Sequence, residues 1–256
     1  MRSKILRALA LILIVTAVSL ALYPDISNRE VQKENNSIIE RFNDISEEVQ
    51  EQGDHDEAVD DGIINEEGYL IDEGGEVISE YPVVFQADLD RLYADSEAYN
   101  DALKLKQDMD IDFSHAALDL SRYGIYDGIY GYITAPSMGL NVPIYLGASN
   151  SNMAWGATHL MNTSLPAGGT STNTVIAGHT GYIGRVVFDY LPQLGTGDTV
   201  SVTTYFGTLD YRVVSKKEIG ATETNDLYIV KDKELLTLLT CARMGKARYE
   251  VICERI

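Results

Sequence analysis

The second half of the chain is a succession of short apolar or alternating runs, each closed off by turn residues. That pattern limits the fold more than any other feature. Candidate strands occupy 131–134, 142–145, 173–177, 199–204, 208–217, 235–240 and 249–254. Ser149-Asn150, Ala167-Gly168-Gly169, Gly195-Thr196-Gly197-Asp198 and Phe206-Gly207 punctuate them, and such clusters break regular structure. Many short strands with few helices predict a mainly β architecture, a closed barrel or a sandwich. One short helix is expected over 185–190.

What precedes these runs is built differently. Residues 5–22 are predominantly apolar with Arg7 as their one charge; Arg2 and Lys4 precede them and Asp25 follows. Eighteen such residues are near the minimum that crosses a bilayer as a helix. The basic flank places the N-terminus in the cytoplasm and the rest outside the cell. A cleaved signal peptide is the competing reading, with Ser19-Leu20-Ala21 as a mediocre cleavage site, and it exports the chain equally. No second apolar run of that length follows, so a single pass is expected.

Charge marks the next boundary. The chain carries a net -19. Residues 23–121 hold 28 acidic and 6 basic residues, whereas 122–256 hold 11 of each. Three segments follow: a membrane anchor or signal peptide over 1–22, an acidic helical stalk or linker with a possible lid over 23–121, and a β-domain over 122–256. Within the stalk, 28–52 reads as a helix with an apolar stripe of Val31, Ile38, Phe42, Ile45 and Val49, capped by Ser27 or Asn28. Residues 53–80 read as a flexible linker or exposed loop. A second helix is expected over 88–107, with Leu89, Leu92, Tyr93, Tyr99 and Leu103 as contacts. Asp108, Asp110 and Asp112 lack the glycine and distant glutamate of a calcium loop, so the carboxylates read as a solvated face. No metal or cofactor is expected. No basic stripe offers a nucleic-acid surface.

Three side chains carry candidate chemistry. His179 follows the apolar run Val175-Ile176-Ala177 and sits between Gly178 and Thr180-Gly181. Cys241 ends the run Leu235-Leu236-Thr237-Leu238-Leu239-Thr240. Arg248 lies seven residues later, across a turn at Met244-Gly245-Lys246. Each alone is commonplace. A hairpin turning near Gly245 returns Arg248 beside Cys241, where a cation lowers a thiol's pKa and stabilises an oxyanion. An imidazole there moves protons. In that hairpin residue 241 is expected to face 249 or 250. Cys253 then lies several residues along, too far for a disulfide, and reads as a buried strand residue. His55 and His115 read as exposed, and His159 as mainly structural.

Thr237-Leu238-Leu239-Thr240-Cys241 resembles the sortase signature Thr-Leu-x-Thr-Cys, with Arg248 following where that family places its arginine. The order His, Cys, Arg also matches. Gly131-Tyr132-Ile133, Val142-Pro143-Ile144-Tyr145, Gly156-Ala157-Thr158-His159-Leu160, Thr163 to Gly169, Leu22 to Asn28 and Cys253-Glu254-Arg255-Ile256 resemble the pilin-type branch, class C. The resemblance implies a closed eight-stranded sortase-type β-barrel with short helices, preceded by N-terminal helices. It implies a membrane-anchored extracellular cysteine transpeptidase with His179, Cys241 and Arg248 as its catalytic residues. Cys241 would cleave a Leu-Pro-x-Thr-Gly-type sorting signal between Thr and Gly through a thioacyl intermediate. The implied partners are surface or pilin proteins carrying a C-terminal sorting signal. The implied acceptor is a pilin lysine amine or a peptidoglycan precursor. Class C members carry an Asp-Pro-aromatic lid; this chain has no Asp-Pro dipeptide, and Phe113 or Tyr123 is the candidate plug. Leu165-Pro166-Ala167-Gly168-Gly169 lacks the threonine of a sorting signal and reads as a turn. A cell-wall cysteine hydrolase and a non-catalytic tethered binding domain are the alternatives.

Overall fold

The computed structural model describes residues 2–109, 112–181 and 187–256. Eight strands close into one barrel: β1 (Ile129–Ala135), β2 (Leu140–Leu146), β3 (Ala157–His159), β4 (Thr172–Ala177), β5 (Thr199–Thr204), β6 (Gly207–Gly220), β7 (Glu234–Ala242) and β8 (Ala247–Arg255). Round the barrel their order is β1-β2-β3-β4-β7-β8-β6-β5. All neighbours are antiparallel except β2 with β3 and β4 with β7, which are parallel. Closure leaves no free sheet edge.

Alternation along each strand divides inside from outside. Ile133, Val142, Ile144, Ile176, Val202, Val213, Leu236, Leu238, Val251 and Cys253 fill the barrel interior, packed with Phe188, Leu191 and Leu194. The outer face is covered on two sides. One cover is formed by Ile45, Val84, Leu89, Leu92, Leu120 and Tyr123 over Tyr130, Leu146 and Leu165. The other lies over β4 and β7 and belongs to the candidate site. With both faces covered, every residue of β4 is buried, the polar Thr172, Asn173 and Thr174 included, which is why the strand shows no inside–outside alternation.

Seven of these strands coincide with the predicted runs, each with bounds shifted by a few residues or fewer at either end. The eighth, β3, has three residues, too few to carry a periodicity. Helix α1 spans Arg2–Glu47 without interruption, so the apolar stretch and the amphipathic stretch are one helix and no cap is needed at residues 27–28. Val31, Phe42 and Ile45 of the stripe are buried, joined by Ile39, while Ile38 is only half-buried. The segment over 53–80 is more ordered than a linker. It holds α2 (His55–Asp60), capped by Asp54, whose side chain accepts from the Glu57 backbone. It also holds two isolated bridges, Ile64 to Leu70 and Ile71 to Val77. Ala58, Ile64 and Phe85 form a small core beneath it. Helix α3 spans Gln86–Leu105 and buries Leu89, Leu92 and Leu103. Asn100 fixes it to the barrel, accepting from Leu165 N at 2.7 Å and donating to Leu165 O at 3.0 Å. Of the expected helix over 185–190, residues 185–186 lie outside the described residues, and 187–190 form bends and turns.

Candidate active site

The parallel pairing of β4 with β7 sets Ala177 opposite Leu239. The contact continues past the ladder. Gly178 N donates to Leu239 O at 3.1 Å, and the Thr240 hydroxyl donates to Gly178 O at 2.7 Å. The residues that carry His179 and Cys241 are therefore bonded to each other one step before the side chains themselves. The His179 carbonyl accepts from Phe188 N at 2.9 Å, closing the loop behind it.

Arg248 enters from the other side. In the β7–β8 ladder Cys241 is the direct partner of Arg248, not of 249 or 250 as the hairpin estimate had it. The turn is a single 3-10 stretch over Arg243–Gly245, tighter by one position than the sequence suggested. Gly245 takes φ +83° and Arg243 φ +48°. The left-handed Arg243 is held by Glu218 at 2.6 Å. Leu236, Leu238, Val251 and Cys253 face the barrel interior, so alternation puts Leu239, Cys241, Arg248 and Glu250 together on the outer wall. Cys241 is a free thiol, half-buried, as are Arg248 and His179. The Arg248 guanidinium donates from Nη1 to Ala247 O at 3.4 Å and Gly245 O at 3.5 Å. Both contacts are long enough to be exchanged for a better acceptor.

The wall below these residues is apolar: Leu160, Val175, Ala177, Ile219, Leu227 and Leu239. A strap crosses it. Met109 is buried in this cluster, and Phe113, Ala148 and Met153 pack against it. Gln107 ties the strap down, donating to Asn162 O at 2.9 Å and accepting from Ile229 N at 2.8 Å. Asn162 donates in turn to Asp108 O at 2.8 Å, and Ala148 N donates to Phe113 O at 2.8 Å. Of the two candidate plugs, Phe113 lies on this wall. Tyr123 lies in the cover over Tyr130 and Leu146, with its hydroxyl on Asp95 at 2.6 Å.

The remaining candidates fall away from the wall's open end. His159 has no exposed surface, and its Nε2 donates to the carbonyls of Thr163 and Ser164 at 3.0 and 3.1 Å. Burial pushes its pKa down to about 4 despite those bonds. Cys253 is free and fully buried, and burial pushes its thiol up to about 12, so it is chemically silent. His115 is exposed. His55 is not: it is 7% exposed, shares a hydrogen bond with Tyr126 at 3.0 Å and gives its backbone N–H to Asp88 at 2.9 Å. Its polar neighbour Asp54 caps α2, and Asp56 points to solvent while the His55 ring is buried.

Sequence reasoning passed over Glu250. It stands two residues beyond Arg248 on the same outer face, opposite Leu239 and Lys217, with no exposed surface. Burial, then the nearby Asp226 carboxylate, pushes its pKa up to about 7; Lys217, 4.0 Å away, opposes this. An alternating glutamate ordinarily signals a solvated face, and only the loop that returns over it makes it buried.

Gly178 is the tightest backbone approach in this region. A Cβ there would lie 2.7 Å from the Phe188 ring and 2.9 Å from Val187. Gly178→Ala is expected to displace the His179 loop, costing at least tenfold in peptide turnover while the melting temperature falls only a few degrees. Paired peptide-cleavage assays and thermal melts check this; unchanged turnover would contradict it.

The Sortase domain family model matches residues 133–256. Sortase A of Listeria monocytogenes is 28% identical over 115 residues, 45% of this chain and 50% of that one, so the chain spans half the length of that curated relative. The Group B Streptococcus Pilus Island 1 Sortase C2 structure is 34% identical, with TM-score 0.60, covering 67% of this chain and 98% of that one. Sortase C1 of Streptococcus agalactiae, in complex with MTSET, is 27% identical with TM-score 0.61, over 67% and 91%. Sortase C-1 of Actinomyces oris is 31% identical with TM-score 0.58, over 66% and 98%. The chain belongs to the sortase family.

Proposed function

We propose that this protein is a membrane-anchored, extracellular transpeptidase of the pilin-type branch. It cleaves a Leu-Pro-x-Thr-Gly-like sorting signal between Thr and Gly and joins the threonyl carbonyl to an amine. One observation carries the reading: β4, β7 and β8 bring His179, Cys241 and Arg248 to one end of one outer wall. The Cys241 thiol passes its proton to His179 as its sulfur attacks the threonyl carbonyl carbon, and the Arg248 guanidinium faces the oxyanion that forms. His179 gives a proton to the departing glycyl amine, leaving a thioacyl enzyme. An incoming amine loses a proton to His179, attacks the same carbonyl and expels the sulfur. A pilin lysine is the favoured acceptor, since the sortase C structures align over about nine-tenths or more of their length; a peptidoglycan precursor is the other.

The single apolar helix near the N-terminus, exposed along Leu11, Leu13 and Leu20, supports anchoring through residues 5–22. The basic residues before it favour a cytoplasmic N-terminus. Residues 107–109 and 112–113 lie over the apolar wall on which an extended signal would lie, and Met109 and Phe113 stand where the signal's own side chains would pack.

Mass spectrometry of the purified protein with sorting-signal peptides tests the assignment. A thioacyl adduct at Cys241 is expected, converted by hydroxylamine to the hydroxamate. Only free acid in the presence of hydroxylamine would indicate a hydrolase. No adduct with any signal peptide would leave a binding domain.

A further inference from the structure

We propose that α1 is a rigid strut that seats the barrel on the bilayer with the cleft-bearing end toward the membrane; this rests on the anchored reading above. The helix is continuous from Arg2 to Glu47. Residues 11–22 are exposed and largely apolar, and the stretch from Asn36 to Ile45 is packed on the barrel. Asn36 accepts from Asn141 at 3.1 Å, Arg41 pairs with Asp127 at 2.9 Å, and the Phe42 ring lies 4.4 Å from that of Tyr205. Between Leu22 and the first buried residue, Val31, stand nine helical steps, about 14 Å. Pro24 lies within this stretch and removes one backbone hydrogen bond, but the helix runs through it. Nothing between anchor and barrel is a loop.

The strand directions then fix which end faces down. Asn36 meets the start of β2 at Asn141, and Ile45 clusters with Leu146 at its end. Helix α1 and β2 therefore run together, away from the membrane. Strand β3 is parallel to β2, β4 is antiparallel to β3, and β7 is parallel to β4. Strands β4 and β7 thus run back toward the membrane, and His179, Cys241 and the turn over Arg243–Gly245 emerge at the lower end.

Height follows from the same helix. Asn36 stands about 21 Å of helix above Leu22. The cleft therefore lies roughly 20 to 30 Å above the apolar core, an interval that an extended chain crosses in about six to nine residues. Lipid headgroups fill the first several ångströms of it. The space beneath the barrel admits an extended segment and not a folded domain, so the reacting bond has to be presented from the bilayer side.

The experiment alters the strut and leaves the barrel alone. Two alanines inserted after Ser27 turn the barrel by about 200°. Seven helix-forming residues inserted there raise it by about 10 Å on nearly the same face. Full-length enzyme is placed in vesicles with a sorting-signal peptide joined by a spacer to an apolar helix, and assayed in parallel on a soluble signal peptide. Both variants should process the soluble peptide within twofold of the unaltered enzyme. On the vesicle substrate both should lose at least tenfold, and the seven-residue variant should recover when the spacer is lengthened by three residues. Undiminished rates on the vesicle substrate would overturn the strut. Failure of the unaltered enzyme on the soluble peptide would instead overturn the transpeptidase reading.

Discussion

Cys241→Ala is expected to abolish acyl transfer, lowering turnover of a sorting-signal peptide by on the order of 10⁴ or more. The thiol is half-buried on the outer wall, away from the barrel interior, so alanine there leaves no core cavity. Stability should change by less than about 1 kcal/mol. Arg248→Ala should lose about 10² to 10³ in kcat, the usual worth of one oxyanion donor. Arg248→Lys should recover little of it, since an ammonium keeps the charge but not the planar fork. Single-turnover mass spectrometry separates these effects: no adduct with Cys241→Ala, and a slow adduct with Arg248→Ala. An adduct that persists in Cys241→Ala would move the nucleophile elsewhere, and normal rates in Arg248→Ala would remove the guanidinium from the reaction.

Glu250→Gln should change how stability depends on pH, with an effect of up to about 3 kcal/mol at pH 8. Glu250 has an ordinary value of 4.5 raised to about 7 in the fold. Between those values the folded state holds the proton and the unfolded state does not, so stability falls as pH rises. His159 has an ordinary value of 6.5 lowered to about 4. Between those values the unfolded state holds the proton, so stability rises with pH. From about 4.5 to 6.5 the two slopes oppose and cancel, and the wild-type contribution from this pair is nearly flat. Glutamine at 250 removes one slope and exposes the other. The variant should melt on the order of 5 °C above wild type at pH 8 and lose stability steadily as pH drops from 6.5 toward 4. Lys217 keeps its pairing with Asp226 in that variant, so the comparison isolates the buried carboxyl. Melting curves from pH 4 to 8 decide it; parallel profiles for the two proteins would mean that Glu250 ionises normally in the fold.

Much of the barrel was legible because β4 and β7 carry apolar runs, β8 alternates, and glycine pairs and Asn or Asp mark the turns. His179, Cys241 and Arg248 were legible as candidates, being polar groups at the ends of those runs. What brings them together was not. The parallel register of β4 with β7 depends on where β5 and β6 close the barrel, and no local pattern encodes that. Glu250 was passed over and His55 misread for one reason: local polarity cannot report a distant segment folding back over it. The Gln107 strap was hidden likewise, since its partners Asn162 and Ile229 are far along the chain. The continuity of α1 was obscured by Pro24 and by the abrupt change from apolar to acidic residues, which mark a change of solvent and not the end of a helix.

The pairing of β4 with β7 carries a consequence for biogenesis. Cys241 lies sixty-two positions after His179, and β5 and β6 must be laid down before β7 docks beside β4. In the exported enzyme proposed above, a polypeptide still emerging therefore presents a sulfur with neither imidazole nor guanidinium near it. Chemical competence arrives only with the last two strands, as completion of the tertiary structure and maturation of the reagent become a single event.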